Sequence, residues 1–210
     1  MGAFWKHDGN PKRPHPLISS KKHSDSYTNS ELVLEDPTVL NMACLDLVKT
    51  LRLEGLELDE VDRVIGPEKG AVRISHDVAR KITSTRRILK HCLSAYAEKK
   101  EEGEHKRMVL SRFAIHAGER LLPVEDVLTT GGSVRLTVLA AESAGATILP
   151  FVGGLVNSSG QSELDGMKIV ELIKRPISVW TPQNCPFCRL GSEPIRPKSV
   201  ENWARLNASY

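Results

Sequence analysis

Between Leu121 and Ser133 the apolar run Leu-Leu-Pro-Val passes into two carboxylates, Glu125 and Asp126, and then into Val-Leu-Thr-Thr-Gly-Gly-Ser. The run predicts a buried strand, and the following residues predict a helix that begins near Gly132 and closes at Ala140 to Gly145, so the polar residues fall at a strand-to-helix turn. The first turn of a helix has backbone N–H groups without intrahelical partners, and these attract an anion. Gly131 and Gly132 allow the main chain to approach a phosphate closely, while Thr129, Thr130 and Ser133 supply hydroxyl donors. Glu125 and Asp126 repel phosphate; they suit sugar hydroxyls or a magnesium ion carried by the ligand. Thr and Ser before a helix are common caps, but capping does not call for an acid pair upstream. The sequence has no Gly-Lys-Ser/Thr phosphate loop and no G-x-G-x-x-G after a strand.

The rest of the chain repeats the strand-then-helix alternation. Residues 1 to 30 read as irregular chain or short strands. Asp36-Pro37 begins a helix, with Asp as cap and Pro in the first turn, and Leu40, Leu47, Val48 and Leu51 form its buried stripe. Val61 to Ile65 predicts a strand, Gly66 to Gly70 a tight loop, and the next helix turns Val72, Val78, Ala79 and Ile82 inward. Further strands are expected at Cys92 to Ala97, Met108 to Ile115, Thr147 to Val156, Lys168 to Ile173 and Ile177 to Trp180. Such alternation predicts an α/β fold with a parallel sheet and helices on both faces, in which ligands gather at the carboxyl ends of the strands. The loop Gly66-Pro67-Glu68-Lys69-Gly70 follows a strand and opens a helix, so it offers a second nest of backbone donors. The run from Glu98 to Arg107 is too polar to pack and reads as a solvated loop.

At 210 residues the chain can bury one α/β core with an appendage. A formal net charge of +3, an isoelectric point near 8.7 and aromatics at 5% leave little for stacking nucleic-acid bases, so a small anionic metabolite is the expected partner. No stretch is apolar enough to span a bilayer, and the N-terminus lacks the apolar core of a secretion signal, which together predict a cytoplasmic protein. Among four cysteines, only Cys185 and Cys188 stand at C-x-x-C spacing. That is half a zinc site; the other two ligands would come from Cys44, Cys92, a histidine or a second subunit, and the plainer reading is a thiol-bearing turn.

The string VEDVLTTGGS resembles the phosphoribosyl pyrophosphate signature of type I phosphoribosyltransferases, and its wording is closest to the orotate phosphoribosyltransferases. The likeness runs from about Ser19 to Ser192. It implies a type I phosphoribosyltransferase-like parallel sheet and divides the chain into a small N-terminal hood at 1–35, a core at 36–180 and a C-terminal tail with the C-x-x-C pair at 181–210. It also implies a magnesium-dependent transfer of ribose 5-phosphate from phosphoribosyl pyrophosphate to a base, orotate first. Thr129, Thr130, Gly131, Gly132 and Ser133 would hold the 5-phosphate of the donor, and Glu125 and Asp126 its ribose hydroxyls, while Glu68, Lys69 and Gly70 would hold its pyrophosphate. Magnesium would arrive with the donor, and no metal is expected to reside permanently on the protein.

In the family a basic loop closes over the departing pyrophosphate, often reaching the neighbouring subunit's site in a homodimer. This assigns catalytic roles to Lys99 and Lys100, with His105, Lys106 and Arg107 as further candidates, though Glu101, Glu102 and Glu104 dilute the positive field. Ser19-Ser20-Lys21-Lys22-His23-Ser24-Asp25 is similar to the base-side hood of the family, with Lys22 as base-binding lysine and Lys21 where glycine is usual. Two departures stand out. Ala71 replaces the last glycine of the pyrophosphate loop, which narrows the ligand's approach. Asn157 and Ser158, the remaining base-binding candidates, stand where the family has Asp-Arg, and serine does not replace a bidentate arginine. The departures keep two other readings open: a non-catalytic regulator that binds phosphoribosyl pyrophosphate or a nucleotide, and a phosphoribosyltransferase for another base.

Overall fold

The structure, a computed structural model, describes residues 2–102 and 105–210, and the side chains of 101, 102, 105 and 106 lie outside that description. The chain divides into two compact units, one made of Met1–Val33 with Pro176–Tyr210 and the other of Leu34–Arg175. The 1–35, 36–180 and 181–210 division expected from the sequence therefore gives way to a discontinuous unit in which the N-terminal stretch and the C-terminal tail belong together.

The smaller unit starts with β1 (Phe4–Lys6), β2 (His15–Pro16), β3 (His23–Ser24) and β4 (Ser26–Thr28), and β1 pairs with β4. A single turn, α1 (Glu31–Leu34), follows.

In the larger unit, α2 (Pro37–Leu53) begins as expected: the Asp36 carboxylate accepts the N–H groups of Thr38 and Val39 at 2.8 and 3.2 Å, and Leu40, Cys44, Leu47, Val48 and Leu51 are buried. Next come β5 (Arg63–Pro67), α3 (Ala71–Thr85), β6 (Leu93–Glu102), β7 (His105–Val109), β8 (Arg120–Leu128) and α4 (Gly132–Ser143). The unit ends with β9 (Thr147–Ile148), β10 (Phe151–Asn157), β11 (Glu163–Leu164) and β12 (Met167–Lys174). The main sheet runs β11-β12-β10-β8-β5-β6-β7, parallel from β12 to β6 and antiparallel at both edges, with β9 pairing to β8. On β10, Val152 packs in a cluster with Val134 and Val138 of α4, whereas the next residue, Gly153, faces Leu47 and Leu51 of α2. Successive strand residues point to opposite faces, so helices cover both sides of the sheet.

The chain then returns to the smaller unit with β13 (Val179–Trp180), α5 (Pro186–Arg189), β14 (Pro194–Ile195) and α6 (Val200–Asn207). β13 pairs with β3 and β14 with β2, while Trp5, Ile195, Trp203 and Leu206 form this unit's own apolar cluster.

Three local expectations fail. The polar run at 98–107 is not a loop: its described residues continue β6 and return as β7, with Lys99 opposite Met108 and Lys100 opposite Arg107; Gly103 and Glu104 lie outside the described residues. The ladder extends from the buried, paired base of β6, and a ribbon polar on both faces has no period-two signature. The strand expected at Met108 to Ile115 ends at Val109, and Leu110, Phe113 and Ile115 instead pack as irregular chain against Ile65, Ala95 and Leu121. The strand expected from Thr147 to Val156 is interrupted at Leu149 and Pro150, because proline cannot donate to a ladder.

Candidate active site

β5, β8 and β10 lie side by side and parallel, so their carboxyl ends share one rim of the sheet. The acids sit inside β8 rather than after it, since the strand continues to Leu128, and Glu125 lies level with Gly154 of β10. Glu125 is buried at 9% exposure, and its Oε1 accepts the Asp126 amide at 3.2 Å. Asp126 is half-buried.

The pyrophosphate-loop candidates come to the same place. A Cβ on Gly70 would lie 2.5 to 2.8 Å from the carboxylate atoms of Asp126, so the main chain at Gly70 runs directly against that acid. The two motifs, distant in sequence, are thus one structure. Gly70 caps α3 and Gly131 caps α4, and neither cap provides a side-chain hydrogen bond, so the amides of both helix starts are not covered by a capping side chain. Gly131 is held at φ +73°, a left-handed conformation, and a Cβ there would meet Leu164 Cδ1 at 2.5 Å; glycine is required on both counts.

An unforeseen pair fixes this loop. Arg135, in the first turns of α4, donates from Nη1 to the Thr130 carbonyl at 2.6 Å and grips Asp165 with Nε and Nη2 at 2.6 and 3.1 Å. Asp165 and Gly166 take φ of 50° and 84° in the turn from β11 to β12, and the Asp-Gly dipeptide was the available sequence signal for that hairpin. Nothing local to Arg135 announces its partner.

Several expected roles change. The Ala71 methyl does not narrow the ligand's path: Ala71 is fully buried, and a Cβ on Gly66 would sit 2.4 Å from Ala71 Cβ, so the methyl fills the space above Gly66 inside the fold. The Glu68 carboxylate is occupied by the Lys99 amide at 2.9 Å, which ties the pyrophosphate turn to the base of the β6–β7 hairpin, while Lys69 is exposed and the Glu68–Lys69 peptide is cis. Lys99 and Lys100, both exposed, are consecutive on a strand, so their side chains leave opposite faces of the ribbon. Asn157 does not reach a base: it is fully buried, its Nδ2 donates to the Gln161 carbonyl at 2.8 Å, and its Oδ1 accepts Ser159 N and Oγ at 3.0 and 2.6 Å. Its polar capacity is spent on its own loop. Ser158 is different: its amide donates to the Leu128 carbonyl at 2.7 Å, beside residues 129–133, and its buried Oγ has no hydrogen-bond partner.

Lys22 belongs to the smaller unit. It ends a tight turn in which the Ile18 amide donates to the Lys22 carbonyl at 2.9 Å, and Lys21, standing where glycine is usual, adopts φ 61°. The backbone there has the glycine-like conformation even though the residue is not glycine.

No family model matches the chain. Whole-chain relatives do. It is 35% identical over 201 residues, 94% of each chain, to the orotate phosphoribosyltransferase of Acidithiobacillus ferrooxidans. It is 37% identical over 187 residues, 88% of each, to that of Caldicellulosiruptor bescii. Among solved structures, the orotate phosphoribosyltransferase of Aeropyrum pernix superposes with a TM-score of 0.56 at 23% identity, covering 77% of this chain and 86% of that one. The adenine phosphoribosyltransferase of Thermoanaerobacter pseudethanolicus gives the same score and identity over 71% and 88%. The two solved structures agree with the α/β architecture, and the first two relatives extend the likeness over nearly the full sequence: the chain belongs to the orotate phosphoribosyltransferase family.

Proposed function

We propose that the protein transfers ribose 5-phosphate from phosphoribosyl pyrophosphate to orotate, releasing pyrophosphate. The observation that carries this reading is the approach of Gly70 to the Asp126 carboxylate. It brings the start of α3 against an acid pair whose own strand leads into the start of α4, which suits a ligand with a phosphate at each end and hydroxyls between. Residues 129–133 would take the 5-phosphate through backbone amides and hydroxyls. Glu125 and Asp126 would hold the ribose hydroxyls and favour the positive charge that develops on the ring as the bond to pyrophosphate breaks. The main chain at 68–70 would take the pyrophosphate. Carboxylates and hydroxyls also fit a hard cation, and magnesium accompanying the donor would stabilise charge on the leaving group. One lysine of the hairpin would face that group.

Ser158, whose amide bonds the Leu128 carbonyl beside residues 129–133, is the residue of the larger unit that we assign to the base. A homodimer and a cytoplasmic location accompany this reading; among the described residues no helix is long and apolar enough to cross a membrane.

The test is Asp126→Asn, assayed with donor, magnesium and orotate beside the unchanged chain. The variant should keep its circular dichroism and lose on the order of a hundredfold in kcat. Equal turnover would remove the acid pair from the reaction. Running the assay with a panel of bases separates the readings: transfer only to another base reassigns the acceptor, and donor binding without pyrophosphate release for any base favours a regulator.

A further inference from the structure

His15, His23, Cys185 and Cys188 each turn one ligand atom into a common space, and the four atoms lie within 4.8 Å of one another. His15 Nε2 is 2.9 Å from His23 Nδ1, 3.4 Å from Cys185 Sγ and 3.6 Å from Cys188 Sγ, and Cys188 Sγ is 3.2 Å from His23 Nδ1. Zinc–sulfur and zinc–nitrogen bonds of the usual length, arranged as a tetrahedron, separate the ligand atoms by about 3.3 to 3.8 Å. Those four separations, from 2.9 to 3.6 Å, are close to that size.

The surroundings are those of a built site. His15 and Cys185 are fully buried, and His23 is 4% exposed. Ser192 Oγ donates its one proton to the Arg13 carbonyl at 2.6 Å, so the contact of 2.9 Å between Ser192 Oγ and His15 Nδ1 must be donated by the imidazole. That fixes the proton of His15 on Nδ1 and leaves the Nε2 lone pair facing His23 and both sulfurs. A second hydrogen bond that orients an imidazole in this way is what metal-ligating histidines have. Both cysteines are free thiols. Phe187, between them in sequence, stacks near His7 and His15 with centroids 4.2 and 5.5 Å away and supplies an apolar wall.

The four residues arrive from different places. His15 is on β2 and His23 on β3, while Cys185 and Cys188 bracket the start and body of α5. All four belong to the smaller unit, so the site is internal to it. The remaining cysteines are excluded as ligands: Cys44 and Cys92 belong to the larger unit, buried in its interior.

We propose that His15, His23, Cys185 and Cys188 form a structural zinc site that fastens the N-terminal segment of this chain to its C-terminal tail. Two thiolates and two imidazoles are a donor set of the softness zinc selects. Four protein ligands fill a tetrahedron and leave no position for water or substrate, so the ion is structural rather than catalytic. The need is physical. The unit is assembled from the two ends of the chain around a small apolar cluster, and a metal that cross-links distant segments adds its binding free energy to folding. Binding releases the thiol protons to solvent and requires no oxidant. The site departs from the expectation that the protein holds no resident metal, and it is separate from any magnesium that comes with a donor.

The experiment uses the full chain, purified under reducing conditions. Metal analysis should find about one zinc per chain. After zinc is removed, titration with cobalt(II) should give thiolate-to-cobalt charge transfer and the intense visible bands of a tetrahedral ion, saturating at one equivalent and bleached by zinc. His23→Gln and Cys188→Ser should abolish those bands, whereas Cys92→Ser should keep them. A chain that is reduced, folded by circular dichroism, free of zinc and without cobalt bands overturns the proposal. So do bands that survive Cys188→Ser, because the metal would then sit elsewhere. Should either variant fail to fold, the cobalt titration of the unchanged chain decides alone.

Discussion

Gly70 has no side chain because the Asp126 carboxylate occupies the place one would take. Its backbone, at φ −58° and ψ −46°, is ordinary helical geometry that alanine adopts freely, so Gly70→Ala tests the steric contact and little else. The added methyl must displace the carboxylate. Folding stability should change by less than about 1 kcal/mol, while the dissociation constant for phosphoribosyl pyrophosphate should rise about tenfold or more, as calorimetry would show. An unchanged constant would mean that Asp126 does not need its present position to bind donor. Gly131 is constrained twice over, by a left-handed φ and by Leu164. Lys21 is the contrary case: a lysine takes φ 61°, a left-handed conformation that glycine adopts more easily.

Among elements, the start of α4 depends on a neighbour far along the chain. Arg135 ties the Thr130 carbonyl to Asp165 in the β11–β12 turn and so holds the loop at 129–133. Because the pair is substantially exposed, at 40% and 56% of the two side chains, Arg135→Ala should cost less than about 1 kcal/mol of global stability. Its local effect should be larger: faster amide exchange across 129–133 and weaker donor binding, measured on the same sample. Exchange that stays unaltered would show that Gly131 and the helix alone set the loop. The β6–β7 hairpin gives the opposite lesson about elements. Its ladder is dictated by the buried strand it continues and by the Glu68 carboxylate holding the Lys99 amide, not by its own polar composition.

At the scale of the whole molecule, the amino ends of β5, β6 and β8 meet at Asp62. Its carbonyl accepts the Leu93 amide, and its carboxylate takes Lys90 Nζ and, at 2.9 Å, the Arg120 amide. Burial alone would raise the Asp62 pKa, but the Lys90 hydrogen bond, the Arg120 amide and both positive charges outweigh it and hold the group below its ordinary value of 3.8. The unfolded chain then binds the proton more readily than the folded one. The contribution is fully present above the ordinary value and is lost as pH falls below it through the folded value. Asp62→Asn should lower stability at neutral pH by on the order of 1 to 3 kcal/mol and flatten the acid limb of a denaturation series. Parallel acid limbs in the two proteins would refute this assignment.

What the sequence by itself determined was local. The cap at Asp36, the strand–turn–helix at 121–133 and the alternation that makes a parallel sheet are each encoded within a few turns of chain, where periodicity and glycine placement act, whereas the loop expected at 66–70 is only a turn at 68–70 because Gly66 and Pro67 end β5. Only the tertiary structure decided which of these pieces touch. Gly70 meets Asp126, Arg135 meets Asp165, the Ala71 methyl turns inward, Asn157 spends its amide on its own loop, and His15 and His23 close on Cys185 and Cys188. A contact between residues far apart in the chain is set by the path of the backbone between them; the C-x-x-C spacing signals half of the cluster, but nothing local names His15 and His23 as its partners.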